Sequence, residues 1–193
     1  MSFINDLSRE IALKIVYYGP ALSGKTTNLK YLYGSLDSSI KGDMISLNTK
    51  TERTLFFDFL PLNLGEIQGF KLKFSLYTVP GQVIYRASRE LVLKNADGVV
   101  FVADSQSDRL FDNVESLTDL KENGKRQGIV LKDKVPLIFQ YNKRDLKDIL
   151  PIEFLEKKLN PEGLQYIEAN AVQGKGVVST IRTISKLILN KME

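Results

Sequence analysis

The sequence predicts an α/β fold with a mostly parallel central sheet and helices on both faces. Three observations predict it. Short apolar runs alternate with helical stretches along the chain. Two of those runs, Gly98–Asp104 (GVVFVAD) and Val135–Tyr141 (VPLIFQY), are almost unbroken, as strands buried on both faces are. The chain has 193 residues, 43 % of them apolar and 26 % charged, which is core material for one domain, taken to span 1–193. No repeat, low-complexity tract or linker divides it.

Taken in order, Ile11–Tyr18 (IALKIVYY) reads as a strand that stops at Gly19. Lys25–Ser35 reads as a helix, with Leu29, Leu32 and Tyr33 at helical spacing. Lys71–Thr78 (KLKFSLYT) alternates apolar and polar residues, which suggests a strand nearer an edge or beside a moving element. After Gly98–Asp104 comes a helix over roughly Arg109–Arg126. In the Val135–Tyr141 strand, Pro136 suits the first residues better than the centre. Helices at roughly Pro151–Lys158 and Val177–Lys191 flank a short strand, Leu164–Ile167. Val177, Ile181, Ile184, Leu187 and Ile188 form one apolar stripe on the last helix and read as core.

The chain has no His, Cys or Trp. That excludes a histidine base, a thiol nucleophile, a disulfide framework, a structural zinc site and haem ligation. Chemistry must use carboxylates, Lys, Arg, hydroxyls, amides, backbone N–H groups and an oxygen-liganded cation. The net charge of +4 is mild, and the densest basic cluster, Lys121–Lys134, mixes both signs. It reads as a solvated helix end and loop, which argues against a nucleic-acid surface. The N-terminus lacks a basic region followed by an apolar stretch, and no run of about 18 apolar residues exists. Ser2 in place of Gly excludes myristoylation, and the absence of Cys excludes prenyl and palmitoyl anchors. The expectation is a cytoplasmic protein, monomeric when free, with no integral membrane segment and at most peripheral membrane contact.

Directly after the first strand stands Gly19-Pro20-Ala21-Leu22-Ser23-Gly24-Lys25-Thr26, a complete G-x-x-x-x-G-K-[ST] phosphate loop. Its glycines let successive backbone N–H groups face phosphate oxygens, and the helix that opens at Lys25 adds its free N–H groups and positive dipole end. Lys25 is assigned to the β- and γ-phosphates and Thr26 to Mg²⁺. Gly19, Ala21, Leu22, Ser23, Gly24, Lys25, Thr26 and Thr27 are the candidate phosphate-binding residues.

The strand ending at Tyr141 delivers Asn142-Lys143-Arg144-Asp145, an N-K-x-D motif at the edge where parallel sheets bind ligands. A carboxylate there accepts two hydrogen bonds from guanine N1–H and the 2-amino group, a donor pair that adenine lacks. Asp145 is therefore the specificity residue, Lys143 lies along base and ribose, and Asn142 ties this loop to the phosphate loop. Glu168–Val172 follows another short strand. Within it Asn170, Ala171 and Val172 are candidate base-loop residues, with the Ala171 N–H assigned to the guanine carbonyl.

Two further segments read as moving parts. In Thr78-Val79-Pro80-Gly81-Gln82, Gly81 can turn its N–H to a γ-phosphate and Gln82 can orient an attacking water. In Thr49–Pro61 (TKTERTLFFDFLP), Thr54 is a candidate second Mg²⁺ ligand and γ-phosphate sensor. Arg53 is a candidate internal arginine finger. Phe56, Phe57 and Phe59 read as core for at least one of them, and as a partner surface for any that become exposed.

GPALSGKTT, TERTLFFDFLP, YTVPGQ and NKRD together resemble the Mgl family of bacterial Ras-like small GTPases, over essentially the whole chain. The resemblance implies a single P-loop NTPase domain of Ras-like fold that switches between GTP and GDP with Mg²⁺. It implies control of cell polarity and gliding motility, with recruitment to cell poles through partners. A dimeric roadblock-type GTPase-activating protein and polarity or motility effectors are the implied partners. The implied catalytic set is Gln82, Arg53 as intrinsic finger and Lys25, with Thr54 as switch threonine. Most small GTPases have Asp where this chain has Thr78; relatives in the Mgl family share the Thr. Its hydroxyl can only hydrogen-bond a metal-bound water, so weaker metal dependence is expected from that element. Ala21 also departs from the family's usual Gly, and its methyl would crowd an incoming Arg or Gln. A slow, partner-stimulated GTPase is the leading reading. A GTP-dependent binding module with little turnover is the alternative, and a phosphotransferase acting on a small acceptor is a third reading that leaves N-K-x-D unexplained.

Overall fold

A computed structural model of the chain describes residues 3–5, 8–47, 57–81 and 85–192. Its strands are β1 (Phe3–Asn5), β2 (Glu10–Tyr18), β3 (Ile45–Leu47), β4 (Phe57–Ile67), β5 (Phe70–Thr78), β6 (Gly98–Asp104), β7 (Leu137–Asn142) and β8 (Tyr166–Glu168). Its helices are α1 (Lys25–Ser35), α2 (Arg86–Leu93), α3 (Leu110–Arg126), α4 (Ile152–Leu159) and α5 (Val177–Leu189). The sheet order is β3-β4-β5-β2-β6-β7-β8, with β1 pairing antiparallel onto β2. Neighbours from β5 through β8 are parallel, and β3, β4 and β5 are joined antiparallel.

The period-2 pattern of each central strand divides the core in two. Leu13, Ile15 and Tyr17 of β2 face one layer with Val100, Val102 and Ile138, beneath α1 and α5. Val16 and Tyr18 face the other with Phe101, Ala103 and Phe139, beneath α2, α3 and α4. Every residue of β6 and β7 is buried, as their unbroken apolar runs require. The apolar stripe on α5 holds as well: Val177, Ile181, Ile184 and Ile188 are buried, and Leu187 packs against them half-buried.

Several boundaries differ from the sequence reading. The strand expected at Val135–Tyr141 begins at Leu137; Pro136 stands before it and its carbonyl accepts from the Val99 N–H. β5 is not an edge strand. It lies between β4 and β2, and its alternation arises because only one face of the β4–β5 region is covered by the core under α1. Neither β4 nor α2 was legible as an element. β4 carries Pro61, which suggests a break, yet Pro61 pairs with Ser75 within the ladder. α2 is eight residues long, too short to show a full periodic stripe.

Because the parallel strands share one direction, the loops after β2, β5, β6, β7 and β8 all emerge at the same carboxyl edge. β2 lies between β5 and β6, and the chain leaves it in opposite directions, which opens a crevice there. Among the described residues no helix is long and apolar enough to cross a membrane.

Candidate nucleotide site

The phosphate loop runs between β2 and α1, and the helix starts at Lys25 as its sequence requires. Gly24 has φ +101°, and a methyl there would stand 2.2 Å from Asn142 Nδ2, so only glycine fits. No side chain caps α1, which leaves its first N–H groups pointing into the loop. The Lys25 ammonium is buried and donates to the carbonyls of Gly19 (3.1 Å) and Pro20 (2.6 Å). Burial lowers Lys25 to about 7, the Arg89 charge adding to the effect and Asp58 opposing it. Ser23 is also buried, with a hydroxyl that has no hydrogen-bond partner among the described residues, while Leu22 is exposed at the lip.

Asn142 does what its place predicts. Its Nδ2 donates to the Ser23 carbonyl at 2.8 Å, and its Oδ1 accepts from the Ala171 N–H at 2.9 Å. One side chain thus joins the loops after β2, β7 and β8. The Ala171 N–H assigned to a guanine carbonyl is therefore engaged by Asn142 here, and Val172 beside it is exposed. Asn170 is buried with its Nδ2 unpartnered. Lys143 adopts φ +65° and donates to Asp104 Oδ2 at 2.5 Å and Gln106 at 3.1 Å, which holds its stem across the crevice. Asp145 is exposed at the rim.

Two groups of residues were missed by sequence reasoning. The first is a row across three strands. Ser46 on β3, Asp58 on β4 and Thr78 on β5 stand in register, on the face beneath α1. Asp58 is 7 % exposed, and its Oδ2 accepts from Thr26 Oγ1 (2.5 Å) and Thr78 Oγ1 (2.8 Å). Its Oδ1 accepts from Ser46 Oγ at 2.7 Å. Where β5 offers the Thr78 hydroxyl, β4 supplies a carboxylate from the opposite strand. Among the described residues its partners are hydroxyls and no Lys or Arg pairs with it. A buried carboxylate held by hydroxyls, in no direct ion pair among the described residues and facing the Lys25 ammonium only across the cleft, beside a phosphate-loop threonine, is a donor set suited to Mg²⁺, a hard cation that takes oxygen ligands. The second missed group is Asn28, Gln140 and Thr180, which tie α1 to β7 and α5 by three buried side-chain hydrogen bonds of 2.7–2.9 Å.

Gly81 packs directly on the phosphate loop; a methyl on it would lie 2.3 Å from Ala21 Cα. Ala21, Lys25, Thr26, Asp58, Thr78 and Gly81 line one cleft of about 330 Å³. The exposed Lys30 lines it too and offers a second ammonium. A larger hollow of about 900 Å³ lies at the opposite end of the sheet, among Leu13, Ala96, Gln127 and Ile188, and holds none of the motif residues. Arg53, Thr54, Phe56 and Gln82 lie outside the described residues. Phe57 and Phe59 are half-buried and pack on Tyr77, on the face of β4 opposite Asp58.

The chain matches the Arf, or ADP-ribosylation factor, family over residues 2–188. It is 55 % identical over 193 residues to the mutual gliding-motility protein MglA of Myxococcus xanthus (strain DK1622), covering 100 % of this chain and 98 % of that protein. It is 24 % identical over 187 residues to the Ras-related protein Rab-5B of Plasmodium falciparum (isolate 3D7), covering 96 % and 82 %. To the Ras-related protein Rab-27B of Rattus norvegicus it is 24 % identical over 196 residues, covering 98 % and 85 %.

Proposed function

The chain belongs to the Arf/Ras-like family of small GTPases, and from that premise we propose that it is a GTP-binding switch. In this reading it hydrolyses GTP to GDP slowly and is stimulated by a dimeric roadblock-type partner. It controls motility, as the name of its Myxococcus relative suggests, and cell polarity, as the resemblance of its motifs to the Mgl family implies. The observation that carries the reading is the Asp58 carboxylate, buried between the phosphate-loop Thr26 and the Thr78 that leads into Pro80-Gly81. It couples a cation-seeking group to both the loop that cradles phosphate and the segment that must sense it.

Mg²⁺, when bound, would neutralise phosphate charge and stabilise the charge that develops on hydrolysis. The chain's own residues do the rest. Lys25 exchanges its two loop carbonyls for phosphate oxygens, and the α1 N–H groups complete the cradle. Thr26 and Thr54 would hold the metal through their hydroxyls, with Asp58 orienting Thr26. Gly81 reads the γ-phosphate, Gln82 orients water and Arg53 offsets transition-state charge. Asp145 and Lys143 select and hold guanine, with Asn142 keeping their loop against the phosphate loop.

The test is phosphate release with and without the roadblock-type dimer. Gln82→Leu and Arg53→Ala should keep GTP binding and lose most stimulated turnover; unchanged single-turnover hydrolysis in both removes these residues from the mechanism. The contact of Gly81 with Ala21 favours a second reading, a GTP-dependent binding module with little turnover, because it leaves little room beside the Ala21 methyl. Ala21→Gly separates the two: absence of stimulation in both wild type and variant supports the module.

A further inference from the structure

Arg89, on α2, is the largest fully buried side chain among the described residues, at 0 % exposure. A buried guanidinium is costly, and a well-packed apolar residue there would serve stability at least as well. Its surroundings account for its presence. Arg89 Nε lies 3.0 Å from both Tyr18 Oη and Asp119 Oδ2, and its Nη2 donates to Ser116 Oγ at 2.8 Å. The guanidinium stacks 4.4 Å from the centre of the Tyr18 ring. Its remaining nitrogen, Nη1, donates to the Gly81 carbonyl at 3.3 Å.

The supporting groups are fully engaged. Tyr18 Oη donates to Asp119 Oδ2 at 2.5 Å and accepts from Arg89 and from Asn123 Nδ2, which uses all its hydrogen-bonding capacity. Ser116, Asp119 and Asn123 recur at helical spacing on one face of α3. Arg126 pairs with Glu90 and Glu122, and Arg86 with Glu122, so α2 is fastened to α3 at the surface as well. Tyr18 is the last residue of β2, immediately before the phosphate loop. The guanidinium therefore sits at a fixed point relative to that loop and extends one donor to the segment that reads the γ-phosphate.

We propose that Arg89 is a positioning residue for this segment: by holding the Gly81 carbonyl it keeps Gly81 against Ala21 of the phosphate loop, where its N–H can meet a γ-phosphate, and so favours the triphosphate over the diphosphate. Arg89 touches neither nucleotide nor water in this scheme; it acts through Gly81. The inference rests on the GTPase reading above.

The test compares wild type with Arg89→Lys and Tyr18→Phe. Lysine keeps the charge but cannot reach Tyr18, Ser116 and Gly81 from one ammonium. Tyr18→Phe leaves Arg89 in place and removes one of its anchors. Affinities for GDP and for a non-hydrolysable GTP analogue are measured in Mg²⁺, together with single-turnover hydrolysis of preloaded GTP. Arg89→Lys should bind GDP within about twofold of wild type but lose about tenfold or more in analogue affinity and in hydrolysis rate. Tyr18→Phe should show the same split at smaller size. A merely structural role changes the amount of loadable protein and its melting temperature without splitting the two nucleotides. Should Arg89→Lys fail to fold, the split in Tyr18→Phe decides. Variants that match wild type on both nucleotides overturn the proposal alone; a wild type that binds neither overturns the GTPase reading and the proposal with it.

Discussion

Replacing Asp58 with asparagine separates the needs of the fold from the needs of the metal. This carboxylate is 7 % exposed and faces three hydroxyl donors. Asparagine keeps an oxygen for Thr26 and Thr78, and its amide can donate to a Ser46 hydroxyl that turns to accept. Hydrogen bonds to a charged acceptor contribute about 1.5–3 kcal/mol and neutral ones about 0.5–1.5, so the two on Oδ2 lose about 2 kcal/mol together. Removing a buried charge that the Lys25 ammonium offsets only from across the cleft returns a similar amount. The fold should therefore stay within about 1 kcal/mol of wild type. A Mg²⁺-loaded site gains nothing from that cancellation, because a divalent cation then offsets the charge at close range. Losing about 1.5–3 kcal/mol there raises the Mg²⁺ needed to retain nucleotide by about tenfold to a hundredfold. The assay is release of fluorescent GDP across a Mg²⁺ titration, paired with urea unfolding of the nucleotide-free protein. A variant that releases GDP at the wild-type Mg²⁺ midpoint would refute the assignment of Asp58 to the metal site.

Exchanging the cross-strand pair, Asp58→Thr with Thr78→Asp, keeps volume and total charge in the row. It should retain more nucleotide affinity than Thr78→Asp alone, which sets two carboxylates opposite each other at a 2.8 Å contact; equal loss in both would show that the position of the carboxylate, not repulsion, decides. Lys25, lowered by burial to about 7 from 10.5, should take up a proton when phosphates favour its ammonium. Calorimetry of GDP binding with EDTA, in two buffers of different ionisation heat, should find about one proton taken up at about pH 8.5, where Lys25 is otherwise neutral, and markedly less at about pH 7. The same shift makes the nucleotide-free fold gain stability as pH rises from about 7 towards 10.5, where only the unfolded chain still holds the proton. Gly24→Ala should cost about 1–2 kcal/mol in backbone conformation and displace Asn142, abolishing tight nucleotide binding; wild-type affinity in that variant would show that the loop does not depend on this contact.

What could be read from sequence was whatever is encoded locally. Gly24 and Lys25 announce a loop and helix start because both demands fall within a few residues. Asn142 could be placed because it ends an unmistakable buried strand. Asp58 was hidden for the opposite reason: its partners stand at positions 26, 46 and 78, on α1, β3 and β5, and only the packing of α1 on the paired β3, β4 and β5 brings them together. Thr78 looked like a loss because the compensating carboxylate stands directly across the ladder. Arg89 sits in a short helix among Arg86, Ser88 and Glu90, where an arginine normally faces solvent, so its complete burial had no sequence signal. Ala171 marks the limit of reasoning from one backbone group at a time, since its N–H already serves Asn142.

The central claim is that this crevice holds a guanine nucleotide by its phosphates and its base together. Displacement of labelled GDP in the presence of Mg²⁺ by GTP, GDP and ATP tests both halves at once. GTP and GDP should compete at similar concentrations, with ATP at least about a hundredfold weaker because adenine offers Asp145 no donor pair. ATP competing as well as GTP would contradict the base assignment, and no displacement by any of the three would contradict the switch itself.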